Sequence, residues 1–449
     1  MVLAWSAIAV SARPAHATTD AYWARQWAPS QIGAPDAWPL TTGSGVRIGV
    51  VDTGVDLEHE DLADKIVAST SCIGAAGNAA SCRGSGQDDN GHGTAVGSIA
   101  AAITDNGKGI AGVAPGAELV VARSLTGDGR GGAVGAPEDV LAGIDWVVAR
   151  GARIVNLSLG PDGGAGPRPG PLAQAIARAW ARGAIPVVAA GNGAPRGGRS
   201  AYADLDAVVV GASHRDGSAA PYSESLSGTK WGLLAPGGAG GDPSSPGFLA
   251  QNVVSAAWVD GRSNSYGAVS GTSIAAPHVS GALALLLAQG LSRQEAIRRM
   301  LASADDSQPC GDGCHGRLDV SRAVGAARGG STPPTVASGD SASAPEEARP
   351  GGGADTPPEP TGARAPEGEA ADAPDPAPEP RPVELPVEST PGQSLALLPE
   401  PVSPVRLTAA AESDALVPRN LLFLVMSTTV VSSALLESLA RRDRRGSLR

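Results

Sequence analysis

ELVVARSLTGDGRGGAVGAPEDVLAGIDWVVARGARIVNLSLG, residues 118 to 160, is the stretch whose periodicity decides the architecture. ELVVARSL, residues 118 to 125, and ARIVNLSLG, residues 152 to 160, are short apolar runs that read as strands. Between them APEDVLAGIDWVVARG, residues 136 to 151, reads as a helix stopped by Gly151. Near-continuous apolar strands joined by a helix are the unit of a parallel sheet covered on both faces.

The alternation extends in both directions. VRIGVV, residues 46 to 51, reads as a buried strand that runs into Asp52, and HGTAVGSIAAAI, residues 92 to 103, as a helix that begins almost on His92. LAQAIARAWARG, residues 172 to 183, is a further helix; IPVVAAGN, residues 185 to 192, and AVVVGAS, residues 207 to 213, are further strands. The expected class is α/β, a parallel central sheet flanked by helices in three layers. In such a sheet the chemistry gathers at the carboxyl ends of the strands.

Three residues from distant parts of the chain meet that rule: Asp52 at the end of a strand, His92 at the start of a helix, and Ser273 where a Gly-rich turn gives way to the apolar helix of YGAVSGTSIAAPHVSGALALLLAQG, residues 266 to 290. A serine hydroxyl is a weak nucleophile at neutral pH. An imidazole can take its proton, and a carboxylate on the other ring nitrogen can hold the imidazole in the right tautomer. The helix start also turns backbone N–H groups toward Ser273, where negative charge on a bound carbonyl could be met. Taken singly, Ser273 also reads as a helix cap, His92 as a loop histidine and Asp52 as a turn former.

The surrounding segments separate these readings. VVDTGVD, NGHGTAVGSIA and SGTSIAAPHVSGALALL occur in that order and resemble the three signature segments of the subtilisin-like serine proteases, over residues 44 to 325. The resemblance implies a subtilisin-like three-layer fold and a serine endopeptidase in which Asp52 orients the histidine, His92 is the base and Ser273 the nucleophile. It also implies that Asn192, in AAGN at residues 189 to 192, aims a side-chain donor at the oxyanion beside the Ser273 N–H. Ser158, Leu159 and Gly160 resemble the segment that pairs with an extended substrate. GDGRG, residues 127 to 131, would lie along the peptide's other side through Gly129 and Gly131, although a plain flexible loop is the competing reading.

Two departures from the family pattern stand out. Ile274 replaces the methionine that many relatives carry just after the nucleophile, so thioether oxidation beside the hydroxyl has no counterpart here. Only residues 18 to 43 separate the signal-like segment from the first core strand, which argues against latency through a full-sized prodomain. No cofactor is needed for the chemistry. A structural calcium is left open, because HEDL, residues 59 to 62, aligns Asp61 with a calcium-binding carboxylate of some relatives, whereas a solvated turn residue is the favoured reading.

The net charge of -11 argues against a nucleic-acid partner. MVLAWSAIAVSARPAHA, residues 1 to 17, has the apolar stretch and Ala-x-Ala end of a signal peptide without the basic start. Export fits the four cysteines, for which local bridges, Cys72 with Cys82 and Cys310 with Cys314, are the economical pairing. A metal site is the weaker reading, since the two pairs lie far apart in sequence and only His315 accompanies them.

Residues 326 to 410 lose the periodic pattern; residues 331 to 400 contain 16 prolines and 13 acidic residues against 3 basic ones, which reads as an extended linker unable to bury a core. LLFLVMSTTVVSSALL, residues 421 to 436, then reads as the body of a membrane helix over 421 to 440, with RRDRR in the basic tail 441 to 449 as its inside anchor. The whole layout resembles the mycosins, the membrane-anchored subtilisin-like proteases of type VII secretion. That likeness implies a catalytic domain outside the plasma membrane and partners in a secretion machine. A freely secreted degradative protease and a structural component of a membrane complex are the alternatives.

Overall fold

The computed structural model describes residues 18–129, 132–160, 170–193, 198–325, 385–387 and 395–398. Gly131, the signal-like segment, the apolar run 421 to 440, the basic tail and most of the linker lie outside the described residues. Among the described residues no helix is long and apolar enough to cross a membrane.

Eight strands form one parallel sheet: β1 (Arg47–Asp52), β2 (Ile66–Ser71), β3 (Glu118–Arg123), β6 (Ile154–Leu157), β7 (Ile185–Ala189), β8 (Val208–Ser213), β9 (Trp231–Pro236) and β12 (Cys314–Arg317). Their order across the sheet is β12-β9-β8-β7-β6-β1-β3-β2, so the direction of winding reverses beside β1. The carboxyl ends there form the crevice in which α/β sheets place their ligands. Asp52 is the last residue of β1, in register with Arg123 of β3.

The apolar runs are continuous because both faces are covered. Ile48, Val50, Leu119, Val121, Val208 and Val210 belong to the core on one face, and Val51, Val120, Ala122 and Val209 to the core on the other. Alternate side chains thus serve opposite layers, each fully buried aliphatic contributing about 1.5–3 kcal/mol. The helix Thr272–Ala288 packs on β6 to β9, with the helix His92–Ala101 against it; the helices Pro137–Ala149 and Pro171–Ala181 cover the opposite face. Thr272–Ala288 is buried on nearly every side, which is why its sequence is apolar throughout rather than striped.

Five strands and four helices of this layout are those expected from the apolar pattern, with ends shifted by a few residues. Three strands of the sheet, β2, β9 and β12, were not expected. IVASTS in β2 is only partly buried at the sheet edge, and CHGR in β12 has no apolar run. Outside the sheet, β4 (Thr126–Gly127) and β5 (Ala133–Gly135) make a small hairpin from the GDGRG region, and β10 (Val253–Val259) pairs antiparallel with β11 (Arg262–Val269). Two pieces of the linker also form strands: β13 (Leu385–Val387) adds to β5, and β14 (Ala396–Leu397) adds to β11. Both short strands lie within the segment read as an extended linker.

The lead-in 18 to 43 is docked on the domain. Trp27 donates its indole N–H to Asn252 O at 2.9 Å, and the Gln26 amide bonds both the N–H and the carbonyl of Ala111. The disulfides join Cys72 to Cys82 and Cys310 to Cys314, the local pairing expected.

His278, on the Thr272–Ala288 helix, is buried at 1% exposure and its Nδ1 lies 3.0 Å from Ile274 O. Burial pushes its pKa down to about 4. Because the folded value lies below the unfolded one, its contribution is fully present above pH ~6.5 and is lost as pH falls toward 4, by about 3 kcal/mol in total. In a Ser273→Ala background, chosen to prevent self-digestion, His278→Asn should flatten the decline of unfolding free energy between pH 7 and 4. Parallel pH profiles for the two proteins would exclude His278 as the cause.

Candidate active site

Asp52 and His92 form a buried pair. Nδ1 of His92 lies 2.7 Å from Asp52 Oδ1, and the two residues are 7% and 0% exposed respectively. The same carboxylate oxygen accepts the Thr53 N–H at 2.7 Å, so it is held from two sides. With a carboxylate as acceptor, the proton of the imidazole is on Nδ1 and the lone pair on Nε2, the arrangement a general base needs. Glycine follows His92 because the helix starts against the end of β1: a Cβ on Gly93 would collide with the Gly54 carbonyl oxygen.

Ser273 is the second residue of its helix, and Gly271 is the N-cap. The helix-cap reading of Ser273 therefore fails. Two constraints hold the turn. Asn192 accepts the Thr272 N–H at 2.8 Å and the Thr272 hydroxyl at 3.0 Å, both through Oδ1. This fixes the amide so that Nδ2 is the end turned away from Thr272. Gly271 has φ +139°, and a Cβ there would lie 3.1 Å from Ser273 Oγ and 3.3 Å from Asn192 Nδ2. The hydroxyl and the amide donor thus border one small volume, beside the positive end of a 17-residue helix.

Residues 43–326 match the model of the subtilase family, which covers more than half of the chain. The chain belongs to the subtilase family. It is 33% identical over 304 residues to thermitase of Thermoactinomyces vulgaris, an alignment covering 67% of this chain and 96% of thermitase. It is 34% identical over 264 residues to subtilisin BL of Lederbergia lenta, covering 58% and 83% respectively. A solved structure of a protease from Pseudoalteromonas arctica superposes with a TM-score of 0.59 at 28% identity, over 69% of this chain and 99% of that one. Family and buried His–Asp pair together make this subtilase a serine endopeptidase.

Ser158 has a use the sequence did not disclose. Pro277 sits inside the Thr272–Ala288 helix and has no N–H to give to the carbonyl four residues earlier, which is that of Ser273. The Ser158 hydroxyl donates to Ser273 O at 2.7 Å instead, and is itself reached by Asn156 Nδ2 at 2.8 Å. Its side chain supports the serine turn. Leu159 is buried and its carbonyl accepts from Tyr202 Oη at 3.0 Å; Gly160 is buried beside it. Ser158→Ala should cost about 1–3 kcal/mol of stability by stranding a buried carbonyl, and should lower kcat more than it raises KM. An unchanged kcat would show that this bond does not position the nucleophile.

Asp88 was missed altogether. Wholly buried, it accepts from Thr53 Oγ1 at 2.8 Å, from the N–H groups of Asn90, Gly91 and Thr94 at 2.9–3.0 Å, and from the Thr94 hydroxyl. Burial pushes its carboxyl up and these donors pull it back. It ties the loop before His92, the first turn of that helix and the residue after Asp52 into one network. One signal could have found it: an acidic residue a few positions before a helix start favours the free N–H groups there.

Asp61 proves to be no solvated turn residue. It is fully buried, and its carboxylate accepts from Asn106 Nδ2 at 2.8 Å, Ile110 N at 2.8 Å and Tyr266 Oη at 3.0 Å. Burial and the neighbouring carboxylates push the Tyr266 hydroxyl well above its usual range, so it stays a donor. A carboxylate surrounded by donors does not fit calcium, which requires six to eight oxygen acceptors. Among the described residues no group of three or more His, Cys, Asp and Glu is arranged to hold a metal ion.

Proposed function

We propose that Ser273 Oγ attacks the carbonyl carbon of a peptide bond while His92 Nε2 takes the hydroxyl proton, giving a tetrahedral oxyanion. The oxyanion is met by Asn192 Nδ2 and the Ser273 N–H. Collapse breaks the C–N bond, the imidazolium returns its proton to the leaving amine, and water then repeats the sequence on the acyl-enzyme. Asp52 holds the imidazolium throughout. The observation that carries this reading is the buried 2.7 Å contact between His92 Nδ1 and Asp52 Oδ1 at the sheet's crevice. Peptides bind extended, with the Ser158–Gly160 backbone on one side and, on the other, the edge of β5, a few residues beyond the Gly129 and Gly131 that the sequence suggested.

The test is covalent. A serine-directed sulfonyl fluoride should label the Ser273 peptide stoichiometrically, and His92→Ala should suppress that labelling. Labelling elsewhere, or none, would overturn the assignment.

The enzyme is proposed to act on exported or extracellular polypeptides without needing an anchor for its chemistry. The family match ends at residue 326, and every group assigned above lies before it. Tethering to the outer face of the plasma membrane is a second reading, resting on the apolar run 421 to 436 and the arginines after it. Partnership with type VII secretion components rests on layout alone. Full-length protein in the medium supports the free enzyme; membrane-bound full-length protein, released by truncation before Leu421, supports the tether.

A further inference from the structure

Both described pieces of the linker dock beside the active site. β13 lies antiparallel on β5, with Leu385 opposite Gly135, Pro386 opposite Val134 and Val387 opposite Ala133. The β5 hairpin is fastened to the loop before His92, since Asn90 Nδ2 donates to Gly132 O at 2.9 Å and Asn90 Oδ1 accepts the His92 N–H at 3.2 Å. β14 lies antiparallel on β11, the strand leading into the Ser273 turn, with Leu397 opposite Gly267 and Ala396 opposite Ala268.

The second anchor is apolar as well as hydrogen-bonded. Leu398 donates its N–H to Tyr266 O at 2.8 Å and is buried at 8% exposure in the main core cluster. Leu395 lines a hollow with Asn90, His92, Ala256, Trp258 and Ile274, so one of its neighbours is the base and another follows the nucleophile. The docking surface is shaped for it: a Cβ on Gly267 would collide with Leu395 Cδ1. Leu397, on the face of the strand opposite Leu398, is 42% exposed.

We propose that Leu385–Val387 and Leu395–Leu398 form an intramolecular peptide ligand that occupies the substrate face of its own enzyme and must be displaced by a substrate. The proposal rests on the assignment of that face to peptide binding made above. β5 is the edge an extended peptide would use, and adding a strand there satisfies its backbone groups without regard to sequence. The 59 residues from 326 to 384 are Pro- and Ala-rich, so the tether keeps the ligand close at an effective concentration of about 1 mM. A ligand that binds with a dissociation constant of about 100 μM when free would then raise the apparent KM about tenfold.

The experiment uses the full-length chain and its Leu395→Asp/Leu398→Asp variant, which places carboxylates against the hollow and the core. The variant should show a KM for a short peptide substrate about tenfold lower with kcat unchanged, and a synthetic peptide of residues 385 to 398 should restore the higher KM competitively. A second readout needs no catalysis: in a Ser273→Ala background, amide exchange at residues 133 to 135 and 266 to 268 should quicken when the two leucines are replaced. Unchanged exchange overturns the docking. Faster exchange with unchanged KM overturns the competition with substrate. Failure of the catalytic assignment itself looks different, because then neither protein cleaves peptide while the exchange difference persists.

Discussion

Ser273→Ala is expected to lower kcat for peptide hydrolysis by about 10⁴-fold or more with little change in folding stability. Ser273 is fully buried in the first turn of the helix, whose N-cap is Gly271, and alanine is the residue best suited to a helix. His92→Ala should lose activity to a similar extent and also lose stability, since it removes the imidazole from the Asp52 carboxylate and leaves the Thr53 N–H as a remaining donor to Oδ1. The two losses should not add, because nucleophile and base act in one step. Active-site-titrated kinetics of the two single variants and the double variant provide the check. Substantial cleavage by purified Ser273→Ala would remove Ser273 from the mechanism, and a multiplicative double variant would separate the roles of the two residues.

Asn192→Ala is expected to reduce kcat by about 10²–10³ while KM moves little, the mark of a donor that matters once negative charge has developed on the carbonyl oxygen. The amide is not free to seek another geometry: Oδ1 is held by the N–H and hydroxyl of Thr272, and Nδ2 shares its small volume with Ser273 Oγ beside Gly271. Asn192→Asp is the sharper comparison. It preserves an oxygen for Thr272 but replaces the donor with negative charge, so it should be at least as slow. Gly271→Ala should also be severely impaired, since its Cβ would lie 3.1 Å from Ser273 Oγ at a φ that L residues rarely adopt. If Asn192→Ala raised KM at constant kcat, the amide would belong to ground-state binding rather than to the oxyanion.

Asp52, His92 and Ser273 were legible because each sits at a junction written in consecutive residues: an apolar strand into a carboxylate, a glycine-flanked histidine into a helix, a Gly-rich turn into an apolar helix. The alternation of strands and helices was legible for the same reason, since burial of both faces leaves a continuous apolar run in the chain. The disulfide partners, close in sequence, needed no long-range information. Other features could be decided only by tertiary structure, because they depend on donors and acceptors brought together from afar. The Ser158 hydroxyl serves the carbonyl of a residue 115 positions away, made needy by a proline. Asp61 reads as a surface turn until Tyr266, 205 residues on, closes over it with a hydroxyl donor. Asp88 looks like one of two adjacent acidic loop residues; only the fold shows which of them is buried among N–H groups. The linker's composition predicts an extended segment with no core of its own. A few leucines and two open strand edges are enough to dock part of it, and strand edges exist only once the sheet and hairpins have formed.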